Sequence, residues 1–184
     1  MNRREFLEHS LTGIAIIAGS MLPGGCNQST GNPLQIVVYP DPRLRKMARP
    51  VKVIDQTVFT LAKNMGALLK RMSQRDFFLG GTLHPGLSGP QVGIMKRIIV
   101  CGIHGELKTL INPEIIERTG RYISNEKCLS LPSSSTVEVQ RSKVINVNYR
   151  DLNDRMNSLE LRDRYAALVE HEIDHLNGIL YIDY

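Results

Sequence analysis

Cysteine is scarce in this chain, with three in 184 residues. Two of them fall at places that have other uses, read below, so no disulfide framework is implied. Long apolar runs are missing too. The stretch Leu11 to Leu22 is twelve residues, short of the roughly 20 that carry a helix across a bilayer. No segment repeats, and there is no glycine motif of the phosphate-cradling kind, which sets aside solenoid arrays and nucleotide-binding loops. Excess charge is small. Lys and Arg number 23 against 18 Asp and Glu, a formal +5 that can favour anionic surfaces but does not by itself argue for nucleic acid.

What is present is a metal-ligand pattern. His171-Glu172-Ile173-Asp174-His175 is an H-E-x-x-H run, and a helix brings residues four apart onto one face, so both imidazoles can bind one divalent cation. Cys128, in Glu126-Lys127-Cys128-Leu129-Ser130, supplies a third donor. Two His and one Cys leave a fourth tetrahedral position open for water, which ionises near neutral pH when bound to the metal. Glu172 can take the water's proton and return it to a leaving amine, so the chemistry suggested is hydrolysis of an amide-like carbonyl. An isolated H-E-x-x-H also occurs on solvated helices, and its weight comes from company. Upstream, Gly86-Leu87-Ser88-Gly89-Pro90-Gln91 is a Gly-rich loop ending in an amide that can donate to a developing oxyanion.

In the order G-L-x-x-x-Q, E-x-C-L-S and H-E-x-D-H-L-x-G, the chain resembles the peptide deformylases. The resemblance runs from about Ile36 to Tyr184 and takes in Tyr39-Pro40-Asp41-Pro42-Arg43-Leu44-Arg45 and Leu110-Ile111-Asn112-Pro113. It implies Cys128, His171 and His175 as metal ligands, Glu172 as general base, and Gln91 with the Leu129 backbone N–H as oxyanion donors. Gly86 and Leu87 match the loop that lines the substrate cleft. Family members use Fe(II), accept Zn, Ni or Co, and remove the formyl group from N-formylmethionyl peptides. A thiolate donor suits these metals without choosing among them.

The departures are specific. Lys127 stands where the family usually has Gly beside the substrate backbone, so a long cation either enters the cleft or snorkels to solvent. His84-Pro85 and Ser88-Gly89 alter the first motif. Pro90 biases Gly89 toward extended geometry, which bears on how Gln91 is presented. Ser133-Ser134-Ser135 follows Pro132 where an arginine that holds peptide is expected. Counting back three and seven from His171 gives Leu168 and Arg164 on the metal-facing side of the same helix, a face that in the family forms an apolar side-chain pocket. Arg164 there either alters side-chain preference toward an anionic group or reaches water from the first turn.

The leader has its own signals. Asn2-Arg3-Arg4-Glu5-Phe6-Leu7 looks like a twin-arginine export signal, Leu11 to Leu22 like its apolar core, and Leu22-Pro23-Gly24-Gly25-Cys26 like a lipobox whose Cys is acylated after cleavage. Residues 1–25 therefore read as a signal peptide, 26–34 as a tether and 35–184 as one catalytic domain, ample for one core and short for two. The expected place is the periplasm or a lipid-anchored position on the membrane, with the cytoplasm as alternative. The expected state is a monomer holding one metal, with a formylated peptide or amine as its partner.

Apolar residues Val58, Leu61, Met65, Leu68, Leu69 and Met72 recur at helical spacing, with a loop expected over Gln74 to Pro85 whose Phe77, Phe78 and Leu79 form either a lid or core. Strands are expected over Arg97–Ile103, Leu107–Asn112, Ile115–Arg118, Thr136–Gln140, Val144–Tyr149 and Met156–Leu161, with Cys101 a buried strand residue. Asp163 is placed to cap a last helix that Gly178 stops. The fold class is α+β, mixed and mostly antiparallel strands packed around a C-terminal metal-binding helix. The leading function is deformylation of N-formyl peptides. The alternatives are hydrolysis of another small formylated or acylated amine, a metallopeptidase, and a metal binder without turnover. A pure binder has no need of Glu172, and a Cys ligand with the two other motifs speaks against the peptidase.

Overall fold

The computed structural model describes residues 34–78, 86–131 and 136–184, with the backbone alone for 73–78. The expectations for the signal peptide, Cys26, Leu79, His84-Pro85 and Ser133 to Ser135 fall outside the described residues. Helices α1 (Gln56–Phe78) and α2 (Arg164–Asn177) bracket seven strands: β1 (Gly86–Ser88), β2 (Ile98–Ile103), β3 (Glu106–Thr119), β4 (Tyr122–Glu126), β5 (Val137–Arg141), β6 (Val144–Arg150) and β7 (Met156–Arg162). Five strands form one sheet in the order β1-β2-β3-β6-β7, and β4 pairs with β5 in a second. Every pairing between these strands is antiparallel, and one isolated bridge, between Arg49 and Lys96, is parallel, which agrees with the expected α+β fold of mostly antiparallel strands.

Strand β2 shows why the helices sit where they do. It is apolar on both faces: Ile99, Cys101 and Ile103 pack with Val169, Ile173 and Leu176 of α2, whereas Ile98 and Val100 pack with Val58, Met65 and Leu69 of α1. A strand buried on both sides needs such a continuous apolar run. Each fully buried Leu, Ile or Met contributes about 1.5–3 kcal/mol from removal of apolar area from water. The α1 methionines at 65 and 72 are accordingly core filler.

Helix α1 runs through Phe78, so the part of the expected loop from Gln74 to Phe78 is helix, the polar Gln74-Arg75-Asp76 continuing it, and the rest of that expected loop lies outside the described residues. The two strands expected around Asn112-Pro113 are one, β3, with register shifts between Ile111 and Glu114 and between Ile115 and Glu117. Such an irregularity is how a strand carries a proline. Asn112 sits there at φ 49°, and its side chain exchanges hydrogen bonds with the backbone of Val51 at 2.7 and 2.8 Å. Helix α2 begins and ends as expected, Gly178 stopping it in the left-handed region at φ 76°. Asp163 occupies the cap position, at φ 50°, but its side chain makes no capping bond.

Candidate active site

Two elements deliver the three donors. α2 presents His171 and His175 one turn apart, with ring centroids 4.9 Å apart, and Cys128 projects from the turn that follows β4. All three are buried, and their donor atoms lie within 4.8 Å of one another. Cys128 Sγ is 3.1 Å from His175 Nε2. Bonds of about 2.0–2.3 Å to a tetrahedral metal place N and S donors roughly 3.3–3.6 Å apart, so one ion would settle among these donors with small side-chain shifts. Burial pushes the His175 imidazole well below its usual range, keeping it in the neutral form that can donate to a metal. Cys101 is the contrast. Its thiol is buried among strand residues, pushed upward by that burial, and makes a structural residue.

Outer partners orient the donors. His171 Nδ1 is 2.8 Å from Glu126 Oε2, a carboxylate acceptor that assigns Nδ1 as the donor and leaves Nε2 as the nitrogen to face a metal. Glu126 in turn accepts from Arg141 Nε at 2.7 Å and Nη2 at 2.9 Å, and Arg141 Nη1 donates to Asp174 Oδ2 at 2.6 Å. Tyr184 completes the chain by donating to Asp174 at 2.9 Å beneath the guanidinium. Burial opposes charge on Glu126, yet the hydrogen bonds from Arg141 and His171 hold its carboxyl at about 2. Sequence reasoning quoted Glu126 and Asp174 within motifs but gave neither a role, and it missed Arg141. The available signal was a carboxylate two places before a ligating cysteine.

Gln91 lies on a 3-10 turn over Gly89–Val92, where Pro90 is tolerated because the first residues of a turn need no N–H donor. Gly89 falls inside this turn, and it is Ser88 that is extended, which corrects the expectation about Gly89. The Ser88 N–H and hydroxyl donate to Gln91 Oε1 at 2.8 and 2.9 Å, so the amide nitrogen is turned to Cys128 Sγ, 3.4 Å away. The Ser130 N–H also donates to that sulfur, at 3.4 Å. Glu172 is buried beside the ligands, and burial raises its carboxyl to about 7 against the lowering effect of His171 and Ser88.

These groups open into one cleft of about 580 Å³. Gly86, Gln91, Lys127, Leu129, Arg164 and Leu168 line it. Leu87 does not: successive strand residues face opposite ways, and its side chain is wholly buried in the α1 core. Gly86 is there for lack of a side chain, since a Cβ would lie 2.4 Å from Glu172 Oε1 and 2.8 Å from Leu168 Cδ1. Gly86→Ala is therefore expected to push the Glu172 carboxylate aside. Turnover should fall by roughly 10²-fold with metal content unchanged, because small displacements of a reacting group are that expensive. Full turnover in this variant would show that Glu172 is not positioned by the Gly86 contact.

An antiparallel α+β frame carrying a Cys-His-His donor set, a buried carboxylate and a fixed amide defines a mononuclear metal-dependent hydrolase. The chain belongs to the polypeptide deformylase family, whose family model matches residues 33–184. It is 38% identical over 154 residues to the peptide deformylase of Nitrosococcus oceani, covering 82% of this chain and 86% of that one. With the peptide deformylase of Alkaliphilus metalliredigens it shares 40% identity over 143 residues, 78% and 90% of the two chains. Among solved structures, the peptide deformylase from Thermotoga maritima superposes with a TM-score of 0.67 at 36% identity, over 83% of this chain and 97% of that one. The Synechococcus elongatus peptide deformylase in complex with actinonin does so with a TM-score of 0.69 at 32% identity, over 84% and 79%.

Proposed function

We propose that the chain releases formate from N-formylmethionyl peptides, with Glu172 moving the proton and Gln91 and the Leu129 N–H stabilising charge on the formyl oxygen. One observation carries this reading: Cys128, His171, the Glu172 carboxylate and the Gln91 amide line one cleft, and the His175 donor atom lies beside those of Cys128 and His171. A divalent cation held by those donors supplies, when bound, Lewis-acid stabilisation of the formyl oxygen and a lowered water pKa. The thiolate suits Fe(II), which is the proposed native ion, and Zn(II), Ni(II) or Co(II) are proposed substitutes.

The protein's own groups do the rest. Glu172 accepts a proton as a water oxygen bonds to the formyl carbon, and the carbonyl electron pair moves onto its oxygen, where the Gln91 amide donates. The C–N bond then breaks, Glu172 passes its proton to the departing nitrogen, and the products are formate and a free amine. Burial suits Glu172 to both tasks, because a carboxylate stripped of water holds a proton more readily. Ser88 keeps the Gln91 amide turned inward throughout, since both of its donors occupy the Gln91 carbonyl oxygen.

The test is formate release by the full chain loaded anaerobically with Fe(II) or Ni(II), using N-formylmethionyl tripeptides. Turnover is expected to fall at least about 100-fold on chelation and to return with an equivalent of metal, given the several kcal/mol a Lewis acid contributes. Cleavage inside the peptide with no formate would replace this reading with the metallopeptidase one. Activity untouched by chelation would remove the metal from the reaction.

A further inference from the structure

Two cations stand at the mouth of the cleft, and among the described residues no acid pairs with either. Arg164 opens α2 and Lys127 precedes Cys128. Both are exposed, both line the cleft, and among the described residues neither makes an ion pair. The acidic groups in the same walls are engaged elsewhere: Glu126 with Arg141 and His171, and Glu172 packed against Gly86 beside the metal donors. Positive charge at this mouth is therefore free to meet a ligand.

Arg164 also has a neighbour that holds it. Its guanidinium lies over the Tyr165 ring at 4.8 Å and donates from Nη2 to the Tyr165 hydroxyl at 3.0 Å, while His104 packs on the same ring at 4.5 Å. A guanidinium already stacked in place loses less freedom when it binds an anion. Along α2 the succession is His171, Leu168, Arg164, all on one face. A helix rises about 1.5 Å per residue, so Arg164 lies about 10 Å along the axis from the ligand His171. Half-buried Leu168 lies between, and it lines the cleft. An arm leaving the scissile amide along this face crosses an apolar rung and ends at a positive charge.

We propose that the cleft also takes formylated amines whose arm ends in a carboxylate beyond two methylene groups, N-formylglutamyl peptides at least as readily as N-formylmethionyl ones; the inference rests on the deformylase reading. The methylenes lie on Leu168, and the carboxylate meets Arg164 with Lys127 across the mouth. An aspartyl arm is one methylene shorter, covering less of Leu168 and stopping short of the guanidinium. A lysyl arm meets like charge.

The experiment compares kcat/KM for formate release from N-formyl Glu, Asp, Met and Lys tripeptides, otherwise identical, on the wild-type chain, Arg164→Leu and Lys127→Gly. Calorimetry on metal-loaded Glu172→Gln reads binding of the same peptides without turnover. At low salt, Glu is expected to exceed Lys by about tenfold and to equal or exceed Met, the advantage shrinking as salt screens the mouth. Arg164→Leu should lower Glu about fivefold and raise Met, and Lys127→Gly should produce a smaller loss in the same direction. A Met preference that Arg164→Leu leaves unmoved would overturn the anion selectivity and leave the deformylase reading intact. No formate from any peptide, with Glu still bound above Lys, would overturn the deformylase reading and keep the selectivity. Equal binding of all four peptides would overturn the selectivity whatever the turnover.

Discussion

Glu172→Gln lowers formate release by roughly 10³-fold, the middle of the range for loss of a positioned acid-base group, while the chain keeps its metal and its melting temperature. The amide has the shape of the carboxylate but cannot take up a proton, so the lesion falls on the chemistry alone. Metal content should stay equimolar, because Cys128, His171 and His175 form the donor set without Glu172. Stability should not fall. Glu172 Oε2 is buried with no hydrogen-bond partner among the described residues, so the native state bears the desolvation of a carboxylate that the neutral amide escapes in part. Thermal melts, metal analysis and single-turnover formate release on the same sample separate the effects. Retained turnover would assign the proton to another group. Lost metal would make Glu172 part of the binding set instead.

The metal centre was legible because helix geometry converts sequence spacing into a shared face. His171 and His175 needed only their separation, and the start and stop of α2 were marked by Asp163 and Gly178. Strand β4 was not legible. Its residues alternate between half-buried and exposed positions until Glu126, and Ile123 points outward, so no apolar stripe announces it. β1 is three residues long and includes Gly86 and Ser88, which read as loop. The role of Glu126 depends on Arg141 from β5 and His171 from α2, partners that pairing and packing bring together and that local spacing does not encode. Leu87 was misplaced for a related reason: the loop reading gave no alternation, and a strand turns neighbours to opposite faces.

Glu126→Gln is expected to lower stability by about 3–5 kcal/mol, the loss found when one partner of a buried ion pair is removed. Glu126 and Arg141 are nearly inaccessible, with side-chain exposures of 6% and 3%. The variant leaves a buried guanidinium answered by Asp174 alone. At about 2–4 °C per kcal/mol for a domain of this size, the melting temperature should drop by roughly 10 °C. The same change weakens the acceptor that holds the proton on His171 Nδ1, so metal affinity should fall about 10- to 100-fold, as it does when an outer partner of a ligating histidine is lost. Arg141→Met supplies the control. With both changes present the unpaired cation is gone and an apolar side chain fills its space, while Asp174 loses its cation but keeps the Tyr184 hydroxyl, so the double variant should recover part of the stability lost in Glu126→Gln. It should not recover metal affinity, because the contact to His171 remains altered. A double variant no more stable than the sum of the single losses would mean that the two side chains do not act as a pair. Recovery of metal affinity along with stability would mean that Glu126 supports the metal only by supporting the fold.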